Sequence, residues 1–128
     1  MEKLKDHELT KRIIAAAIAV HRELGPGYLE SIYENALCVE LDYQGIPYEK
    51  QKIVDIFYRD KPVGEHRLDL LVVGTVVVEL KAIKSLEDIH FVIVRSYMKA
   101  IKMETGLLFN FASMPLTVKR VGRELLKT

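Results

Sequence analysis

Cysteine is nearly absent from this chain: Cys38 is the single one, so no internal disulfide can staple the fold. Tryptophan is missing altogether, and the longest apolar stretch, IIAAAIAV at residues 13–20, is too short to span a bilayer and suits a buried helix. Neither sign of charge dominates, since 19 basic and 18 acidic residues leave a net charge of +1. The total therefore argues neither for nor against a nucleic-acid partner, and any electrostatic footprint must lie in the local distribution. The four histidines, His7, His21, His66 and His90, form no i, i+4 pair, and there is no CxxC, which removes most support for a zinc site. No charged-then-apolar leader opens the chain at MEKLKDHELT, so a reducing cytoplasm is the expected setting, with no membrane partner.

What is present is ordinary for a globular protein. Of 128 residues 49% are apolar and 29% charged, enough for one core and one domain over residues 1–128. Apolar residues recur at helical spacing from about Asp6 to Leu24, through Ile13, Ala17, Val20 and Leu24, until GPG at residues 25–27 stops them. A second helix is expected from Leu29 to about Gln44, burying Ile32, Tyr33, Ala36, Leu37 and Leu41. From Tyr48 the pattern alternates: KIVDIFYR, VGEHRLDLLVV and TVVVELKA read as a three-stranded meander with turns at RDKP and Gly74. Residues 86–103 return to helical period, and GLLFNF at 106–111 suits a buried fourth strand, parallel to the third. The tail TVKRVGRELLKT is ambiguous between strand and helix. The class is α/β, with helices flanking a four-stranded mixed sheet.

The hairpin DLLVVGTVVVELK, residues 69–81, is apolar except at Asp69, Glu79 and Lys81. A charge inside so apolar a strand needs a partner or a task. Alternation puts Val77, Glu79 and Lys81 on one face of the third strand, and Glu65, Arg67, Asp69 and Leu71 together on one face of the second. A three-residue loop of Val73, Gly74 and Thr75 makes the sum of paired positions even, which brings Asp69 across from Glu79. Two carboxylates about 4 Å apart repel by roughly 4 kcal/mol at an effective dielectric near 20, so they need a cation or a shared proton. Spacing alone leaves two readings open. One is an ion cluster with Lys81, helped by Arg67, that ends the hairpin. The other is a pair of hard oxygen ligands for Mg²⁺ or Mn²⁺, with Lys81 as an electrostatic catalyst of phosphodiester hydrolysis and a backbone carbonyl near Leu80 as a further ligand.

The stretch GPGYLESIYENAL, residues 25–37, adds to this. With Gly27, Glu30 and Tyr33 it resembles the GxxExxY family of small prokaryotic proteins, which is grouped with the PD-(D/E)XK nuclease superfamily. The likeness runs from about Thr10 to Val121 and takes in DLLV, VVVELKA, His90, YMKA at 97–100 and GLLFNF. It implies a restriction-endonuclease-like αβββαβ core with an extra N-terminal helix, and a nuclease site in which Asp69, Glu79 and Lys81 match the acid, acid and lysine. Glu30 matches the acid that related nucleases carry on their first core helix, and Tyr33, His90 and Tyr97 would support the site. Leu68 stands where the superfamily motif has its proline. Relatives usually carry HxxQ followed by Tyr in the late helix, whereas here the positions are His90, Ile93 and Tyr97.

Arg95, Lys99 and Lys102 read as a solvated helix face, while Lys119, Arg120, Arg123 and Lys127 make the tail basic enough to track a phosphate backbone, alongside Arg67. The expectation is a Mg²⁺- or Mn²⁺-dependent nuclease acting on DNA or RNA. The alternative, favoured by Ile93, is a non-catalytic module that holds nucleic acid or protein on a nuclease scaffold. A homodimer is compatible with either, and nothing in the sequence requires it.

Overall fold

The computed structural model describes residues 2–122, with side chains from His7 onward. Helix α1 (Glu2–Leu24) and helix α2 (Glu30–Tyr43) precede three strands, β1 (Tyr48–Tyr58), β2 (Lys61–Val72) and β3 (Val76–Lys81). Helix α3 (Asp88–Ile101), β4 (Thr105–Asn110) and β5 (Thr117–Gly122) complete the order. The strands form one sheet in the order β1-β2-β3-β4-β5, antiparallel except for the parallel β3/β4 pair that α3 connects. The expected four-stranded sheet thus gains a fifth. Of the ambiguous tail, Thr117–Gly122 forms β5, an edge strand on β4, because Val121 and Val118 each have an apolar layer to cover, while residues 123–128 lie outside the described residues. Among the described residues no helix is long and apolar enough to cross a membrane.

The sheet separates two apolar layers. On one side Ile13, Ala17 and Val20 of α1 and Leu37 and Leu41 of α2 pack on Leu70, Val78, Leu107 and Phe109. On the other, Val94, Tyr97 and Met98 of α3 pack on Leu68, Val77, Leu108 and Val121. Both faces of β3 and β4 are therefore covered, which is why VVVEL and GLLF read as almost continuous apolar runs. Gly106 lets α3 approach β4: a Cβ there would lie 2.8 Å from Met98 Sδ and 3.1 Å from Val94 Cγ1. Gly106→Ala should therefore overpack this contact and cost about 1–2 kcal/mol, seen as a melting point lower by several degrees. An unchanged melting point would show that α3 has room to shift.

Two expectations about faces are corrected. In α2, Ile32 is 40% exposed, whereas Glu34 is buried beside Leu37, Cys38 and Leu41. The buried stripe runs through Tyr33, Glu34, Leu37, Cys38 and Leu41, so Tyr33, Leu37 and Leu41 are buried as expected and Glu34 and Cys38 join them. In β2, the single face expected to carry Glu65, Arg67, Asp69 and Leu71 does not run through, because alternation breaks: Leu68 and Leu71 belong to the α3 side, and Leu70 and Val72 to the α1/α2 side. The strand turns over at Asp69. Opposite it in β1, Gln51 has φ of 53°, and the residue pairing runs from Lys50↔Leu70 to Lys52↔Leu68 without a Gln51–Asp69 step. Such a local break redirects side chains in the manner of a bulge. It also lets the far half of the β1–β2 hairpin bring Val54 and Ile56 onto α3.

Candidate active site

Residues Leu70, Leu71 and Val72 pair with Val78, Val77 and Val76. One further step along this register sets Asp69 opposite Glu79, as the three-residue loop requires. There the backbone ladder gives way to side chains. Glu79 Oε1 accepts the Asp69 backbone N–H at 3.0 Å, and Asp69 Oδ2 accepts the Leu80 backbone N–H at 2.9 Å. Each carboxylate thus satisfies the strand that carries the other, which holds two acids side by side inside a sheet. A strand residue directs its N–H and C=O to the same neighbour, so the Leu80 carbonyl also faces the β2 side.

Burial and crowding set the electrostatics. Glu79, 5% exposed, has its pKa pushed up to about 8, first by burial and then by Asp69, with Glu30 adding to the effect and Lys81 opposing it. Asp69 is also raised, by burial, against the pull of the Leu80 N–H, Gln51 and Lys81. Helix α2 contributes a third carboxyl: Glu34 is raised by burial and by Asp69, and accepts from Gln51 Nε2 at 2.7 Å while Lys50 Nζ lies 3.8 Å from its other oxygen. Glu30, Glu34, Asn35, Lys50, Gln51 and Asp69 line a cleft of about 480 Å³ beside the opened strands.

Lys81 closes β3 on the same face as Glu79. Its carbonyl accepts from Phe111 N at 2.8 Å, and Asn110, buried at the end of β4, grips the next turn. The Asn110 amide accepts from Ile83 N at 3.1 Å and donates to Ile83 O at 2.9 Å, pairing like a strand residue. The chain leaving Lys81 is therefore anchored, and its ammonium is held in the field of both acids.

Of the other expected residues, Tyr97 is near the acids. It is buried in the α3 layer, its ring lies edge-on to His66 at 4.9 Å, and its hydroxyl is pushed up to about 12 by burial and then by Glu79 and Asp69. Tyr33 and His90 serve elsewhere. The Tyr33 hydroxyl donates to Gly25 O and accepts from Tyr28 N at 3.1 Å, tying the GPG turn to α2, while its ring stacks on Phe111 at 4.6 Å. His90 Nδ1 accepts from Glu87 N at 2.8 Å and so caps α3. Arg67 is exposed opposite Ile53, two positions before Asp69, and not in the acid cluster.

The basic residues that β5 carries, Lys119 and Arg120, do not form one patch with the site. Lys119 and Arg120 are adjacent on β5, so their side chains take opposite faces, and β5 lies at the far edge of the sheet from β1. Arg120 turns back to Thr10 Oγ1 on α1. Arg123 and Lys127 lie outside the described residues.

Glu34 and Gln51, which no sequence motif singles out, also belong to the site. Glu34 was detectable as a carboxylate on the apolar stripe of α2, but Gln51 is brought in by a backbone break that no periodicity announces. Among the described residues no three acidic, histidine or cysteine side chains converge tightly enough to hold an ion as they stand. The donor set nonetheless suits a hard dication. Asp69 stands between Glu79 and Glu34 and raises the pKa of each, a repulsion that Lys81 and Lys50 only partly offset and that a divalent charge would relieve.

Paired acids followed by a lysine, at the open end of a mixed sheet between helix layers, define a nuclease-type scaffold. The chain matches the PD-(D/E)XK nuclease superfamily over residues 7–121 and belongs to it. No curated protein matches it. Among solved structures, the crystal structure of SSO0001 superposes with a TM-score of 0.59 at 18% sequence identity, covering 74% of this chain and 50% of that one. At such identity the likeness is one of fold, and the chain spans half the length of that protein.

Proposed function

We propose that this protein is a metal-dependent phosphodiesterase acting on nucleic acid, of the GxxExxY group within its superfamily. The reciprocal clasp of Asp69 and Glu79 beside Lys81 carries the reading, because it crowds negative charge where a structural role would be better served by apolar residues. Asp69, Glu79 and the Leu80 carbonyl would hold Mg²⁺ or Mn²⁺, with a helix acid completing the set. Glu30 rims the cleft, and Glu34 lies closer to Asp69. The dication supplies Lewis acidity toward a phosphoryl oxygen and toward water. Lys81 orients the attacking water and offsets the charge that grows on the phosphoryl oxygens in the transition state. Tyr97 and the α3 layer keep bulk water from the inner side of Glu79, which strengthens each of these interactions.

The GxxExxY pattern has a structural reason here. Gly25 and Gly27 have φ of 69° and 115°, and the Tyr33 hydroxyl locks that turn, so the first residue of α2, Glu30, is delivered to the cleft rim. The substrate's phosphates would meet Lys50 in the cleft lining and Lys81 beside the acids in preference to the β5 cations.

Purified protein with Mg²⁺ or Mn²⁺ is expected to cut DNA or RNA oligonucleotides, and EDTA to stop it. Lys81→Ala should lower the rate about 100-fold or more, the usual scale for removing one group that stabilises transition-state charge, with the circular-dichroism spectrum and melting point retained. Equal cleavage by wild type and Lys81→Ala would assign the cutting to a contaminant. If neither cuts while the protein binds oligonucleotides in EDTA, the chain is a binding module.

A further inference from the structure

Gln51 is left without a role by the metal-dependent reading, and any part it plays at the ion site rests on that reading being right. It sits in β1 opposite Asp69, where the register pairing is interrupted, and its φ of 53° lies in the left-handed region that side-chain-bearing residues rarely adopt within a strand. That backbone turn aims its amide into the cleft. Nε2 donates to Glu34 Oε1 at 2.7 Å and to Asp69 Oδ1 at 3.4 Å, so one NH₂ group spans carboxyls from α2 and β2. Lys50 reaches only the Glu34 side of this pair.

We propose that Gln51 keeps the ion site assembled in the ion's absence: its amide nitrogen stands between Glu34 and Asp69 and yields their oxygens when a divalent cation binds. An NH₂ group brings two hydrogens and partial positive charge to the oxygens that a dication binds more strongly. It therefore helps to hold two carboxyls that lie within hydrogen-bonding reach of each other, and it competes with the ion for their oxygens. Gln51 is a positioning residue in this scheme, touching the acids and not the substrate.

Competition gives the test its sign. Removing the amide leaves the two carboxyls with less compensation in the metal-free protein, so the cation gains more on binding. If the amide oxygen were instead a ligand, removal would weaken binding. Mn²⁺ binding to the full chain is followed through the electron paramagnetic resonance signal of free Mn²⁺, for wild type, Gln51→Ala and Gln51→Gly. Glycine accepts the left-handed backbone at this position, so this variant removes the amide without adding strain.

Both variants should bind Mn²⁺ on the order of fivefold more tightly, the scale of one lost hydrogen bond. In EDTA, Gln51→Ala should melt below wild type, and the gap should close as Mn²⁺ is added. Wild-type binding with equal or weaker binding by both variants would overturn the competition and leave the metal reading intact. Failure of wild type to bind Mn²⁺ at several millimolar would overturn both.

Discussion

Glu79→Gln is expected to make the protein more stable and inactive at the same time. The glutamine Oε1 can still accept the Asp69 N–H now held by Glu79 at 3.0 Å, so the clasp survives the change. What disappears is the obligation to keep a buried carboxyl that becomes charged only at about pH 8. In the unfolded chain the same carboxyl ionises near its ordinary value, which favours unfolding at every pH above that value. The gain should therefore be near zero at pH 4.5, grow as pH rises and level off above pH 8. We expect on the order of 2 kcal/mol at the plateau, less than the full shift implies at 1.4 kcal/mol per pH unit, because Asp69 and Lys81 readjust. Activity should fall about 100-fold or more, since the ion loses an anionic ligand. Chemical denaturation at pH 5 and pH 8.5, read beside an oligonucleotide cleavage assay, checks both halves. A variant less stable than wild type at pH 8.5 would mean that Glu79 is ionised and well compensated in the fold, and that its charge is structural.

The wild-type protein should show the complementary behaviour. Glu79, Asp69 and Glu34 all have pKa values raised on folding, so the folded state binds more protons than the unfolded state between the ordinary carboxylate range and pH 8. The stability this contributes is fully present at low pH and is lost as pH climbs to about 8. In EDTA the melting temperature should thus fall from pH 5 to pH 8, by a few degrees for each roughly 1 kcal/mol lost. Divalent ions bind the deprotonated carboxylates and release protons, so Mg²⁺ or Mn²⁺ should raise the melting temperature strongly at pH 8 and little at pH 5. Thermal melts over a pH series with and without the ion would decide the matter. A metal-induced rise that is the same at both pH values would place the ion somewhere other than among these acids.

The pairing of Asp69 with Glu79 could be read from the chain because it depends on local quantities: the parity of a three-residue loop, the tolerance of Gly74 for φ of 65° and the two-residue repeat of a strand. The parallel β3/β4 pair was legible for a similar reason, since a helix between two apolar runs leaves few ways to cover both faces. The roles of Tyr33 and His90 were not legible. Both lie on plausible helix faces, and only the folded chain shows their polar atoms already committed to Gly25, Tyr28 and Glu87. The charges of the tail are close in sequence, whereas the strand formed by its described part sends Lys119 and Arg120 to opposite sides.

By itself, then, the amino-acid order determined the helix and strand succession as far as β4, the hairpin register and the presence of acids and a lysine where apolar residues belong, all consequences of short-range periodicity and turn chemistry. Tertiary structure alone decided which helix acid meets Asp69, that a left-handed backbone at Gln51 turns β1 and β2 over, and that Asn110 anchors the chain after Lys81. Those outcomes depend on where separate elements come to rest against each other, and such distances are set by the packing of two apolar layers on one sheet.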